Sequence, residues 1–258
     1  MTNNNPIGLF DSGVGGTSIW REIHQLLPNE DTIYLADSKN APYGTKSKNE
    51  IIALCKKNTD LLLSMGCKLI VVACNTATTN AIKELRAQYD VPFIGIEPAI
   101  KPAALKSKSG KIGILATKGT LNSELFNKAV ETFQDIEIVE QVGTGLVELI
   151  ESGKKDSPEM ERLLKTYVSP MVESGIDYLV LGCSHYPYLI PNIRKIIPQD
   201  IRIIDSGEAV ARQSQHILAE KVGLNDNAPG HAVFYTNGDP WILQGLLEDK
   251  FPVIYKDF

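Results

Sequence analysis

Leu69-Ile-Val-Val-Ala-Cys-Asn-Thr76 is an apolar run that ends in a small residue and a cysteine, then turns polar. Tyr178-Leu-Val-Leu-Gly-Cys-Ser-His185 follows the same plan. A short continuous apolar run bounded by polar residues reads as a strand buried on both faces of a parallel sheet. Cys74 and Cys183 then emerge at the carboxyl ends of strands, where open α/β sheets gather their ligands. A second pair of segments extends the likeness. Ile7-Gly-Leu-Phe-Asp-Ser-Gly13 resembles Ile112-Gly-Ile-Leu-Ala-Thr-Lys-Gly119, each an apolar strand closing on a hydroxyl residue and a glycine. Ser12 and Cys74 are 62 residues apart, and Thr117 and Cys183 are 66 apart. Each half therefore offers a strand-end hydroxyl loop and, two βα units later, a strand-end cysteine. The two halves are related by a pseudo-two-fold, with a ligand between them and one thiol on each side.

Strand and helix patterns alternate along the rest of the chain. Strands are predicted near 6–10, 32–36, 68–73, 92–95, 111–116, 136–141, 177–182, 202–205, 232–236 and 252–255. Helical patterns cover 17–27, 47–65, 77–89, 121–133, 158–174, 207–222 and 240–248. Such alternation implies βαβ units and a mainly parallel sheet. The fold class is α/β, with two similar lobes, each a mainly parallel sheet flanked by helices. Ile96-Glu-Pro-Ala-Ile-Lys-Pro102 marks a crossing between the halves, and Asp205-Ser-Gly207 a second. The lobes are then 1–97 together with 207–258, and 98–206. Two crossings leave two hinges and a cleft that can close.

Composition narrows the function classes. The 258 residues are 43% hydrophobic and 22% charged, ordinary values for a globular chain. A net charge of −5 gives no electrostatic footprint for nucleic acid or an anionic membrane, so neither is an expected partner. The start, Met-Thr-Asn-Asn-Asn-Pro, lacks the charged and apolar regions of a signal peptide, and a cytoplasmic location is expected. Four cysteines without Cys-x-x-Cys spacing and four scattered histidines support neither a zinc site nor a redox motif. Cys55 and Cys67 read as small buried hydrophobes in and just after a helix.

Four groups of residues carry chemistry. Asp11-Ser-Gly-Val-Gly-Gly16 lacks Gly-x-Gly-x-x-Gly spacing, but its glycines permit a tight strand-to-helix turn whose N–H groups can meet a carboxylate. Asp11 can hold an ammonium group, act beside a thiol, or simply cap the next helix. In the loop Asp37-Ser-Lys-Asn-Ala-Pro-Tyr-Gly44, Pro42 and Gly44 set the path and Tyr43 can reach a ligand. Asn75 and Thr76 follow the first thiol, and Ser184 and His185 the second. Both pairs can cap helices or grip the polar ends of an amino acid. A free thiol has a pKa of about 8.5, and a helix N-terminus just downstream favours the thiolate. In an extended segment, Cys183 and His185 point to the same side.

Taken together, Phe10-Asp-Ser-Gly-Val-Gly-Gly16, Pro42-Tyr-Gly44, Ala73-Cys-Asn-Thr-Ala77 and Leu181-Gly-Cys-Ser-His-Tyr-Pro187 closely resemble glutamate racemases, of the cofactor-independent two-cysteine Asp/Glu racemase family. The resemblance spans essentially the whole chain, including Phe234-Tyr-Thr-Asn-Gly-Asp239. It implies interconversion of L- and D-glutamate to supply peptidoglycan synthesis, without pyridoxal phosphate, metal or nucleotide, by a homodimer. Carried over by motif, Cys74 and Cys183 are the two acid/bases, assisted by Asp11 and His185 respectively. Asp11, Ser12, Pro42, Tyr43, Gly44, Asn75, Thr76, Thr117, Ser184 and His185 contact the substrate. Glu151 matches an acidic residue near the second thiol, although a solvated helix-end glutamate reads equally well. Family members usually carry threonine where this chain has Ser184; serine keeps the hydroxyl and loses a methyl. By the same resemblance Cys74 deprotonates the D-isomer and Cys183 the L-isomer. Three rivals remain open from the residues themselves: aspartate racemase or another cofactor-independent racemase, a small-ligand binding module, and a thiol-redox protein.

Overall fold

A computed structural model describes residues 2–226 and 229–258. The first lobe opens with β1 (Ile7–Asp11), α1 (Thr17–Leu26), β2 (Thr32–Ala36), α2 (Lys48–Ser64), β3 (Leu69–Val72), α3 (Asn75–Gln88) and β4 (Phe93–Gly95). The chain crosses and builds α4 (Ile100–Lys106), β5 (Lys111–Ala116), α5 (Lys118–Leu121), α6 (Glu124–Glu131), β6 (Glu137–Val142), α7 (Leu146–Glu151), α8 (Pro158–Glu173), β7 (Tyr178–Gly182), α9 (Ile190–Ile193) and β8 (Arg202–Ile204). It returns through α10 (Gly207–Ile217), β9 (Ala232–Thr236), α11 (Pro240–Leu246) and β10 (Val253–Tyr255).

All strand pairs in both sheets are parallel. The first sheet runs β10-β9-β2-β1-β3-β4 and the second β6-β5-β7-β8. The inner order β2-β1-β3-β4 recurs as β6-β5-β7-β8, which is the repeat expected from the two cysteine segments. β1 and β5 stand in equivalent places, as do β3 and β7. The register is equivalent too: Phe10 pairs with Val72, and Ala116 with Gly182. Ser12 and Thr117 therefore leave their strands beside Cys74 and Cys183.

The central strands β1, β3 and β7 are buried at every position, as continuous apolar runs require. Helix starts are locally encoded: Ser47 and Glu50 form a capping box at α2, and Ser157 caps α8 with Pro158 at its first position. One apolar core lies on the α2 and α3 side of the first sheet and another against α4 and α6 beside the second. A third runs through both lobes, joining Leu9, Ile19 and Val71 to Leu146, Leu181 and Tyr186.

Several helices depart from the sequence expectation. The pattern over 121–133 is broken: α5 ends at Leu121, and Ser123 caps a separate α6. The helices α4, α7 and α9, of 7, 6 and 4 residues, were not anticipated, being too short to show a 3.6-residue period. No helix of the described residues is long and apolar enough to cross a membrane.

Candidate active site

Both cysteines reach one cleft between the lobes. Its wall comprises Ser12, Pro42, Tyr43, Gly44, Cys74, Asn75, Thr76, Thr117, Val147, Cys183, Ser184 and His185. The space between the two thiols is only about 10 Å³, room for a single water, and it adjoins a pocket of about 160 Å³ that shares Pro42, Gly44, Thr117 and Val147. The lobes are closed on one another.

Cys74 is the N-cap of α3, and Ala77 N–H donates to its Sγ at 3.4 Å. Ser12 Oγ lies 3.7 Å from the same sulfur. The helix N-terminus favours a thiolate, but it does not prevail. Complete burial and the neighbouring Asp11 carboxyl hold this thiol well above the usual cysteine range, so Cys74 is protonated in the closed cleft.

Asp11 ends β1 behind Ser12, outside the cavity wall and fully buried. Its carboxyl accepts Ser12 N–H at 2.7 Å and Gly16 N–H at 2.6 Å, pinning the glycine turn that starts α1. Ser184 Oγ reaches it from the other lobe at 3.2 Å. Burial raises the Asp11 pKa more than His185 and the hydrogen bonds to Cys74 and Gly16 lower it.

Cys183 follows β7, but the extended geometry expected through His185 does not hold. The strand ends at Gly182, and His185 is already in a helical conformation at the head of a 3-10 turn, Tyr186–Leu189. The tight turn brings His185 Nδ1 to 3.8 Å from Cys183 Sγ instead. Nor does a long helix follow Cys183 as α3 follows Cys74: only this 3-10 turn and the four-residue α9 come next. The two thiols thus have different partners, an aspartate and a helix N-terminus at one, a histidine at the other.

Glu151 is not a solvated helix end. Its Oε1 accepts His185 Nε2 at 2.5 Å and Val14 N–H at 2.7 Å, and its Oε2 accepts Ser38 Oγ at 2.8 Å. Burial alone would strip the proton from His185, yet its pKa stands well above 6.5. Hydrogen bonds to Cys183 and Glu151, with the charges of Asp11 and Glu151, outweigh that burial. An imidazolium donating to both the Cys183 sulfur and Glu151 fits this geometry.

The remaining polar wall joins the lobes. Thr76 Oγ1 lies 2.7 Å from Thr117 Oγ1 and 3.3 Å from Thr120 Oγ1, and Asn80 Nδ2 donates to Gly119 O at 3.1 Å. Tyr43 lines the cleft, while its hydroxyl donates to buried Asp37 at 2.5 Å. Asn75 lies on the wall with both side-chain polar atoms buried and without a hydrogen-bond partner among the described residues. A buried amide rarely goes without a partner.

Every sequence-predicted site residue converges on this cleft. Eleven belong to its wall, and Asp11 and Glu151 stand directly behind. Reading the sequence missed Val147, Ser38 and Thr120. Val147 looks like any apolar helix residue, and Ser38 and Thr120 carry no motif beyond their proximity to Asp37 and Thr117.

Residues 7–214 match the Asp/Glu/Hydantoin racemase family. The chain is 46% identical over 244 residues to the glutamate racemase of Pseudomonas entomophila (strain L48), covering 94% of this chain and 92% of that one. Its fold superposes on glutamate racemase isoform RacE1 from Bacillus anthracis with a TM-score of 0.88, at 32% identity and 98% coverage of both chains. Escherichia coli glutamate racemase, solved with L-glutamate and the activator UDP-MurNAc-ala, superposes with a TM-score of 0.86, at 31% identity and 98% coverage of both chains. With paired strand-end thiols across a closed cleft and a match running from β1 into α10, the chain belongs to the Asp/Glu/Hydantoin racemase family.

Proposed function

We propose that this chain is a glutamate racemase that interconverts L- and D-glutamate by two-base proton transfer between Cys74 and Cys183. The carrying observation is that two topologically equivalent cysteines, each after the third strand of its repeat, line one cleft from opposite lobes. Racemisation must take the α-proton from one face and return a proton to the other. That requires one base deprotonated and the other protonated at the same moment.

Cys74, held as a thiol by burial and Asp11, is then the donor when L-glutamate is bound. A thiolate at Cys183 has the His185 imidazolium for its neighbour, and it takes the L-isomer's α-proton. For D-glutamate the roles exchange. Backbone and hydroxyl donors from Ser12, Tyr43, Gly44, Thr76, Thr117 and Ser184, with the free amide of Asn75, suit the two carboxylates of the substrate. Asp11 and Glu151 act behind the wall, on Cys74 and on His185. Because the closed cleft leaves room for little more than a single water, these donors face the developing carbanion charge in a low-dielectric site, where they count for more than in solvent.

Opening is needed for entry. In this reading residues 1–97 with 207–258 move against 98–206 about the two crossings. The enzyme works in the cytoplasm as a homodimer without cofactor and supplies D-glutamate for peptidoglycan, a reading that rests on the family. Sedimentation equilibrium of the purified chain tests the dimer.

The deciding assay for the activity is circular dichroism of D-glutamate in D₂O with purified protein and nothing added. Loss of optical activity with α-deuterium incorporation is expected. No change with glutamate, but turnover of aspartate, would reassign the substrate. Inertness toward both would return the cleft to a binding or redox role.

A further inference from the structure

Ser38 has no place in the chemistry above, yet it crosses the cleft. It opens the 3-10 turn Ser38–Asn40 just after β2, in the first lobe. Its hydroxyl donates at 2.8 Å to Glu151 Oε2, on α7 of the second lobe. The other oxygen, Oε1, is already taken by Val14 N–H and His185 Nε2. Three donors thus fix both oxygens of one carboxylate. Without Ser38, Oε2 has no protein donor among the described residues, and only the two bonds to Oε1 hold the carboxylate against His185.

Ser38 is itself held rigidly. Asp37 accepts Asn40 Nδ2 at 2.8 Å, Tyr43 OH at 2.5 Å and Asn237 Nδ2 at 2.5 Å. Lys39 N–H donates to Asn237 Oδ1 at 2.9 Å. Gly238 leaves the space that Ser38 occupies, since a Cβ there would lie 2.6 Å from the Ser38 Cβ. The returning strand β9 therefore braces the turn from behind. The connection is shorter to one thiol, although Asp11 Oδ2 also lies 3.9 Å from His185 Nδ1. Ser38 connects through Glu151 and His185 to Cys183, whereas the contacts of Cys74 come from Ser12, Asp11 and Ala77.

We infer that Ser38 is a positioning residue for the Cys183 half of the reaction, fixing Glu151 across the cleft so that Glu151 aligns His185 on the Cys183 sulfur. This rests on the racemase reading of the cleft. Ser38 does not line the cavity and does not touch substrate.

Because the two enantiomers have equal free energy, kcat/KM must stay equal in the two directions for any variant. The asymmetry is therefore read by isotope effects. The experiment compares α-deuterated L- and D-glutamate with their protiated forms in the wild type, Ser38→Ala and Ser38→Thr. Loss of one hydrogen bond to a carboxylate predicts a kcat lower by about fivefold in Ser38→Ala. The primary isotope effect is expected to rise for the L-isomer, whose deuteron passes to Cys183, and to fall or hold for the D-isomer. Ser38→Thr, which keeps the hydroxyl, is expected to restore the wild-type balance. Equal changes for both isomers, or a higher KM with unchanged isotope effects, would mean that Ser38 only staples the lobes, and would overturn the assignment. So would a threonine variant as impaired as alanine. A wild type without turnover would instead sink the racemase reading itself, a result distinct from any of these.

Discussion

Cys74 and Cys183 are the same residue type in equivalent places, and their surroundings differ. Around Cys74, burial and Asp11 act against the charged form and exceed the pull of the α3 N-terminus. Around Cys183, the adjacent group is a histidine whose own proton is tightly held. Replacing either cysteine by alanine removes one of two obligatory proton carriers. Racemisation is expected to fall by at least about 10³-fold in Cys74→Ala and in Cys183→Ala, with the far-ultraviolet circular dichroism unchanged. Substantial turnover in either variant would exclude a two-base scheme. His185 gives a pH signature. Its folded pKa lies above the 6.5 of a free imidazole, so the folded chain binds that proton more tightly than the unfolded one. The resulting stabilisation is complete below about pH 6.5 and disappears as pH rises through the folded value. The melting-temperature gap between wild type and His185→Asn should therefore narrow as pH increases. A gap constant with pH would show that His185 contributes by packing alone.

At the scale of elements, the site is a set of strand-end turns whose tightness places the side chains. β1 leads into Asp11-Ser-Gly-Val-Gly-Gly16, and the absence of side chains at its glycines admits the second lobe. A Cβ at Gly13 would lie 1.9 Å from Glu151 Oε1, and one at Gly15 would lie 2.2 Å from His185 Nδ1. Gly15→Ala must therefore displace the His185 ring or hold the lobes apart. Misplacement of a reacting group by about 1 Å can cost about 10²-fold, and kcat should fall by that order. An alanine variant with wild-type kcat would mean that the lobes do not close this far during turnover. This closeness was invisible in the sequence, where the glycines read only as backbone freedom for a turn. The strands were legible because their apolar runs are long and buried. The short helix α7, which carries Val147 and Glu151, was not, since 6 residues show no period.

At the scale of the molecule, the first lobe is assembled from two distant stretches of chain, and an ion pair pins them together. Lys68 Nζ lies 2.7 Å from Glu30 Oε2, with both side chains almost wholly buried. Lys68 also donates to the carbonyls of Asn3 and Gly223, and Glu30 Oε1 accepts Asn225 N–H at 2.7 Å. The pair thus ties the chain's start, the approach to β3 and the return segment before β9. Removing one partner strands the other charge in the interior. Lys68→Ala should destabilise the fold by about 3–5 kcal/mol in urea unfolding. A loss below about 1 kcal/mol would mean that water reaches Glu30 once the lysine is gone. Two separate crossings join the lobes, and each sheet is complete within its own lobe.

The sequence by itself determined the α/β class, the repeat, the strand ends and the identity of nearly every residue facing the cleft. These properties are local: a buried strand must be apolar, and a residue at its carboxyl end must face the ligand side. Only the tertiary structure decided which partner each thiol received. Asp11 and Ser184 lie 173 residues apart and Ser38 and Glu151 lie 113 apart, yet each pair is joined by a hydrogen bond across the lobes. The pKa of a buried group depends on the desolvation and charges that closure creates, and no spacing along the chain encodes them. The thiol sites were written in the strands, and the difference between them arose when the lobes met.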